Sequence, residues 1–176
     1  MNIPNSLTLL RIFLIPVFVV VLVVRIPHGD LLAAVIFVAA ALTDSLDGYL
    51  ARKYKQITKL GIILDPIADK LLITAALICL VELGRIPGWI AIVILGREFA
   101  VSGLRAVKAE EGIIIPASKL GKFKTISQVL AVIIIILENV YPPLRGVGVW
   151  AMYIAVAITL ISGIDYFLKF KLLDKE

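Results

Sequence analysis

Long apolar runs broken by short clusters of charge dominate this chain, and about 20 apolar residues are what a helix needs to cross a bilayer. Six runs reach that length, at 5–25, 31–53, 60–83, 87–108, 120–140 and 146–169 of the 176 residues. Apolar residues make up 61% of the chain, against about 45–50% in soluble domains, and a water-soluble fold this small could not cover so much apolar side chain. Mean hydropathy is +1.04. The expectation is an all-α membrane protein, one six-helix transmembrane bundle occupying residues 1–176 as a single domain. The first run could be mistaken for a secretory signal, but no basic residue precedes Arg11 and no small-residue cleavage site follows Val24. It reads as a retained helix, with Asn5 or Ser6 as N-cap and Pro16 as a kink.

Loop charge sets the orientation. Arg52, Lys53, Lys55 and Lys59, then Arg105, Lys108, Lys119, Lys122 and Lys124, then Lys169, Lys171 and Lys175 all fall on one side. The other side carries only Arg25, Arg85 and Arg145, so both termini are expected in the cytoplasm. The net charge of +5 is gathered at the ends of apolar segments, which fits anionic lipid headgroups. No basic groove interleaved with aromatics is present, which argues against nucleic acid. A single cysteine, Cys79, and a single histidine, His28, exclude a disulfide framework and a Cys/His zinc site within the chain. Cys79 reads as a small buried apolar residue and His28 as a loop residue. Trp89, Tyr141 and Trp150 read as a belt at the membrane interface.

Four aspartates interrupt this pattern. Asp44 and Asp47 lie in the second run, Asp65 and Asp69 in the third. An ionised carboxylate in hydrocarbon costs about 2.5–3.5 kcal/mol even on insertion scales, so four need compensation. Helical spacing puts each pair on one face. The two helices are antiparallel neighbours, and Asp47 and Asp44 lie roughly 9 and 13 Å inside residue 53, while Asp65 and Asp69 lie roughly 8 and 13 Å inside residue 60. The four carboxylates are therefore expected to converge at one depth on the cytoplasmic side. Arg52 and Lys70 are too few to neutralise them. An all-oxygen donor set suits hard divalent cations, Mg²⁺ or else Mn²⁺ or Ca²⁺, and the number of carboxylate oxygens suggests two ions. Gly48 and Ala51 continue the Asp44/Asp47 face and Gly61 stands one turn before Asp65, leaving room against the backbone. An ion-paired structural cluster or a transporter's cation site are the competing readings of the carboxylates.

The stretch Asp44-x-x-Asp47-Gly48-x-x-Ala51-Arg52, eight residues, then Gly61-x-x-x-Asp65-x-x-x-Asp69 resembles the signature of the CDP-alcohol phosphotransferases. The opening MNIPNSLTLLRIFLIPVF, GREFAVSGLR at 96–105 and IPASKLGKFKT at 115–125 are similar to the bacterial branch that acts on glycerol 3-phosphate. The resemblance implies a six-helix homodimeric enzyme of the bacterial cytoplasmic membrane, its cavity open to the cytoplasm. It would pass the phosphatidyl group of CDP-diacylglycerol to sn-glycerol 3-phosphate and release CMP, toward phosphatidylglycerol and cardiolipin. It further implies Mg²⁺ as cofactor, Asp44, Asp47, Asp65 and Asp69 as metal ligands, and Asp69 also as general base. Gly48, Ala51, Arg52, Thr58 and Gly61 match positions that hold the CDP moiety. Asn5, Thr8 and Arg11 recur at i, i+3, i+6 on one face of the first helix, which the resemblance places at the nucleotide end of the cavity; a cap plus a headgroup-level arginine is the plainer reading.

The acceptor phosphate needs cations, and Arg97, Arg105, Lys122 and Lys124 are the candidates. Positive-inside flanking charge explains the lysines equally well. A mid-span arginine such as Arg97 requires a partner. Glu98 projects about 100° away from it, so it is read as orienting a basic residue on a neighbouring helix. Other acceptors (inositol phosphate, serine, phosphatidylglycerol) would share the signature. A divalent-cation carrier would need polar residues toward the outer leaflet, where LLAAVIFVAA and TAALICLVELG are almost wholly apolar. An inactive scaffold is disfavoured by the presence of all four aspartates.

Overall fold

The computed structural model describes residues 3–24, 26–53, 59–112 and 119–173, without the side chains at 3–4, 44–53, 59–60, 62–63, 119, 169 and 171–173. Six α-helices follow one another: α1 (Ile3–Val23), α2 (Gly29–Lys53), α3 (Lys59–Glu82), α4 (Gly88–Glu110), α5 (Lys119–Leu137) and α6 (Val147–Leu173), with a 3₁₀ turn at Pro142–Leu144. Each falls on one of the expected runs. Helix α1 already begins at Ile3, so Asn5 and Ser6 lie in its first turn and do not cap it. Pro4, which is pre-set for a first helical turn, accounts for the earlier start. The helix continues through Pro16. Helix α5 stops three residues short of 140 because the Val140 and Tyr141 amides turn back onto the Leu137 carbonyl, at 2.9 and 2.8 Å, just before Pro142.

Helices α1, α5 and α6 are long and apolar enough to cross a membrane on length and hydropathy alone, and α2 adds the apolar stretch Gly29–Thr43. Helices α3 and α4 are longer than α5 but carry Asp65, Asp69 and Lys70, and Arg97, Glu98 and Arg105, inside their spans. Helix α1 packs on α2 and α3, α5 on α6 and α2, and α4 on α6 and α3. The centre is filled by Phe18, Phe37, Leu77, Leu80, Ile90, Ile94, Ile135 and Met152, all fully buried, with the Phe18 and Phe37 rings 5.5 Å apart. Phe13, Ile92, Ile154 and Ile164 project outward and stay exposed. An apolar lateral surface of this kind suits hydrocarbon and not water.

At one end polar side chains tie the helices together beside an open pocket of about 760 Å³ lined by Asp30, Arg85 and Asn139. Gly84, at φ +67°, closes α3 with the Arg85 amide on the Leu80 carbonyl (2.8 Å) and its own amide on Val81 (2.9 Å). That left-handed cap is one glycine adopts without penalty. It delivers Arg85 to Asp30 at the start of α2, 2.7 Å away, and to the Ile136 carbonyl of α5 at 3.4 Å. Asn139 donates to the other Asp30 oxygen at 3.0 Å. Glu138 accepts the Gly148 amide at 2.7 Å, satisfying an otherwise orphaned donor in the first turn of α6. Trp89, Tyr141 and Trp150 are all exposed at this end, with Tyr153 between the two tryptophans. His28 is an exposed turn residue at φ 59° and Cys79 is buried in the core.

Candidate active site

The opposite end gathers the ionisable residues of the spans. The face of α1 that carries Asn5, Thr8 and Arg11 turns inward. Thr8 is 1% exposed and donates from Oγ1 to Asp65 Oδ1 at 2.7 Å. Arg11 is completely buried, and its Nε donates to Thr43 Oγ1 at 3.3 Å. Thr43 in turn donates to the Ala40 carbonyl at 2.6 Å. The first turns of α1 are thus bonded to α3 at one signature aspartate, and to α2 at the residue just before another. Asn5 is half-buried on the same face.

Asp44, Asp47, Gly48, Ala51 and Arg52 lie on the last turns of α2, with side chains outside the described residues, and Thr58 lies outside them altogether. Gly61 is buried, one turn before Asp65. Asp65 and Asp69 are both half-buried on α3. Two of the four expected ligands are therefore described, and no trio of acidic, histidine or cysteine side chains is found among the described residues. What is described fits a hard divalent cation: carboxylate oxygens four residues apart, a hydroxyl already donating to one of them, and neither Cys79 nor His28 nearby.

Two spaces meet at Asp69. The first is a cavity of about 300 Å³ with Arg11, Asp69 and Thr125 in its lining, and with Val38, Leu42 and Ile133 among its apolar walls. The second is a seam of about 10 Å³ bordered by Asp69, Lys70, Glu98, Lys124 and Gln128. One is mostly apolar; the other is lined by charge.

The four candidate cations part company. Lys124 is 7% exposed, lines the seam and pairs with Glu98 Oε1. Glu98 therefore does reach a basic residue on a neighbouring helix. Arg97 turns the other way, onto α6: it donates to Ser162 Oγ at 2.7 Å and lies 5.5 Å from the centre of the Tyr166 ring. It also stands 3.5 Å from Glu98 Oε1, because two long neighbouring side chains can curl together despite the 100° between their Cβ directions. Arg105 and Lys122 are exposed. Arg97 and Arg105, eight residues apart, share a helix side but not an environment.

Some polar residues of this end carry no motif. Gln128 donates to Thr159 Oγ1 at 2.9 Å, buried between α5 and α6. Lys108, 3% exposed, pairs with Glu111 at 2.7 Å and lies over the Phe170 ring. Their one signal in the sequence is a polar side chain inside an apolar run, which in a bilayer must find an internal partner.

Residues 1–161 match the model of the CDP-alcohol phosphatidyltransferase family. The chain belongs to that family. A Bacillus subtilis protein named CDP-diacylglycerol–glycerol-3-phosphate 3-phosphatidyltransferase is 43% identical, over 96% of this chain and 94% of the relative. Proteins of the same name from Rickettsia bellii and Pectobacterium atrosepticum are each 41% identical, over 94% of this chain and 93% and 92% of their own. As a CDP-alcohol phosphatidyltransferase, the chain carries its family's match across all of α1 to α5 and most of α6.

Proposed function

We propose that this protein transfers the phosphatidyl group of CDP-diacylglycerol to sn-glycerol 3-phosphate and releases CMP. The relatives so named, matched over nearly their whole length, carry this reading. The position of Asp69, between a mostly apolar cavity and a seam that carries Lys70 and Lys124 beside Glu98, supports it. The remaining architecture belongs to the same reading. All six helices cross the bilayer of the bacterial cell membrane, with both termini and the aspartates on the cytoplasmic side and a second copy completing a homodimer.

Asp44, Asp47, Asp65 and Asp69 would hold two Mg²⁺ or Mn²⁺ ions, which would neutralise the diphosphate and the charge growing on CMP. Thr8, by donating to Asp65 Oδ1, fixes one oxygen of that carboxylate and leaves the other to face the site. Asn5, Gly48, Ala51, Arg52, Thr58 and Gly61 line the place of the nucleotide. The apolar cavity lets the lipid keep its chains out of water while its head lies at Asp69. Lys124 takes the acceptor phosphate, and Lys122 and Arg105, exposed at the rim, raise the local concentration of the dianion. Asp69 then accepts the proton of the acceptor hydroxyl as its oxygen attacks the phosphorus bearing diacylglycerol. A new P–O bond forms, the bond to the CMP oxygen breaks, and the leaving group departs in line.

The outer end argues against a cation carrier. A pocket of about 760 Å³ opens at that end beside Asp30, Arg85 and Asn139, but Phe18, Phe37, Leu77 and Leu80, all fully buried, fill the bundle between it and the aspartates. The test is CMP release by purified protein from CDP-diacylglycerol, with and without Mg²⁺, offering glycerol 3-phosphate, inositol phosphate, serine and phosphatidylglycerol in turn. Release that needs both the metal and glycerol 3-phosphate is expected. Release with another acceptor overturns the acceptor, and no release from folded, cation-binding protein overturns the reaction.

A further inference from the structure

Lys124 can meet the acceptor phosphate only by leaving Glu98. The seam between them and Asp69 holds about 10 Å³, roughly one water and far less than a phosphate. The lysine stem is long and flexible enough to swing its ammonium elsewhere. The difficulty is what it leaves behind. Glu98 is 14% exposed in its side chain, and a buried carboxylate stripped of its partner is strongly disfavoured. Arg97 answers that difficulty. Its NH1 stands 3.5 Å from the same oxygen, Glu98 Oε1, that Lys124 engages.

Arg97 is also held where it cannot follow the phosphate. Its NH2 donates to Ser162 at 2.7 Å and its guanidinium lies over Tyr166. Gly163 backs it so closely that a Cβ there would come within 3.1 Å of Arg97 Cγ. Its Nε, buried, makes no hydrogen bond among the described residues, so the group is placed by its surroundings and not by a full set of partners.

We propose that Glu98 is a shared counter-ion, held permanently by Arg97 and exchanged by Lys124 for the acceptor phosphate. Arg97 is then a positioning residue that acts through Glu98 and never touches the acceptor. The proposal rests on the transferase reading above and deepens it: the competition between Glu98 and a phosphate dianion for one ammonium sets acceptor affinity.

Steady-state kinetics of the full-length protein in detergent test it with Arg97→Gln, Glu98→Gln and the double variant, each checked by gel filtration and thermal denaturation. Arg97→Gln leaves Glu98 dependent on Lys124 and is expected to raise the KM for glycerol 3-phosphate about ten-fold. Glu98→Gln removes the competitor and is expected to lower that KM about three-fold. The double variant is expected to return within about three-fold of wild type, because no carboxylate remains to be stranded. The KM for CDP-diacylglycerol and kcat stay within two-fold throughout. A double variant no better than Arg97→Gln overturns the proposal and makes Arg97 a phosphate ligand; a KM raised by Glu98→Gln alone overturns it too. Should Arg97→Gln not fold, Ser162→Ala loosens the same guanidinium and should raise the acceptor KM two- to three-fold; no rise overturns the idea. A wild-type enzyme that works only with a different phosphorylated acceptor overturns the acceptor reading alone, and the same pattern read with that acceptor decides the exchange. A preference for an uncharged acceptor overturns both.

Discussion

The two ends of this bundle solve the same problem in opposite ways. Each places charged side chains where a membrane protein finds charge expensive. At the Arg85 end the charges finish one another: Arg85 is shared between Asp30 and the Ile136 carbonyl, Asn139 takes the second Asp30 oxygen, and Glu138 caps α6. At the aspartate end the charges are only partly spent. Among the described residues, Asp65 accepts from the Thr8 hydroxyl, Lys124 borders a seam, and Arg97 keeps one buried N–H without an acceptor. Complete pairing makes a clamp, and incomplete pairing leaves groups able to take substrates. On that contrast, substitutions at the Arg85 end should change stability and spare kinetics, and substitutions at the aspartate end should do the reverse.

The sharpest break in symmetry is expected at Asp69. Asp69→Asn keeps the shape of the side chain and removes its ability to accept the hydroxyl proton. A fall in kcat of about a thousand-fold is expected, within the range assigned to general bases, with the thermal midpoint little changed. A variant retaining a tenth of wild-type kcat would move the proton acceptor to another group. At the other end, Arg85→Gln strands Asp30 and frees the loop before α4. A loss of about 1–3 kcal/mol in unfolding free energy is expected from the broken charge-assisted bonds, with both KM values and kcat unchanged in the protein that remains folded. Denaturant or thermal unfolding alongside a CMP-release assay reads both. A kinetic defect without a stability defect would mean that the Arg85 clamp communicates with the site, and the division between the ends would fail.

The same contrast explains what the sequence made legible. Six helices followed from run lengths, because a membrane span must be long and continuous. Their ends did not follow, since the fixed backbone of Pro4 and the local hydrogen bonds around Gly84 and the Leu137 carbonyl decide them, and hydropathy registers neither. The aspartate positions stood out because their spacing is local and a carboxylate in an apolar run is costly. The direction of Arg97 could not be read that way: its turn onto α6 depends on Ser162, Gly163 and Tyr166, more than sixty positions on. The Asp30–Arg85–Asn139 clamp was invisible for the same reason, its members being two charges and one amide from three separate helix ends. Glu98 lay between these cases. Its pairing with some basic residue on another helix was legible from its mid-span position, but the choice of Lys124 needed the α4–α5 packing.

The smallest effect expected tests how far the aspartate end depends on one neutral bond. Thr8 holds Asp65 from a different helix, so it contributes orientation and not charge. Thr8→Val keeps the volume and removes the donor, leaving an Asp65 oxygen without the hydroxyl in a part-buried position. A net hydrogen bond of this kind contributes about 1 kcal/mol, more when its acceptor is ionised, so a fall of about ten-fold in kcat/KM for CDP-diacylglycerol is expected. The effect should shrink as Mg²⁺ is raised, because a less well oriented carboxylate weakens a cation site that excess metal can refill. The acceptor KM should not move, since Lys124 and Glu98 are on α5 and α4 and make no bond to α1 among the described residues. A Thr8→Val enzyme that loses acceptor affinity instead would show that the two spaces at Asp69 are not separate subsites but one, and that the partial pairing of the aspartate end is a single network from α1 to α6.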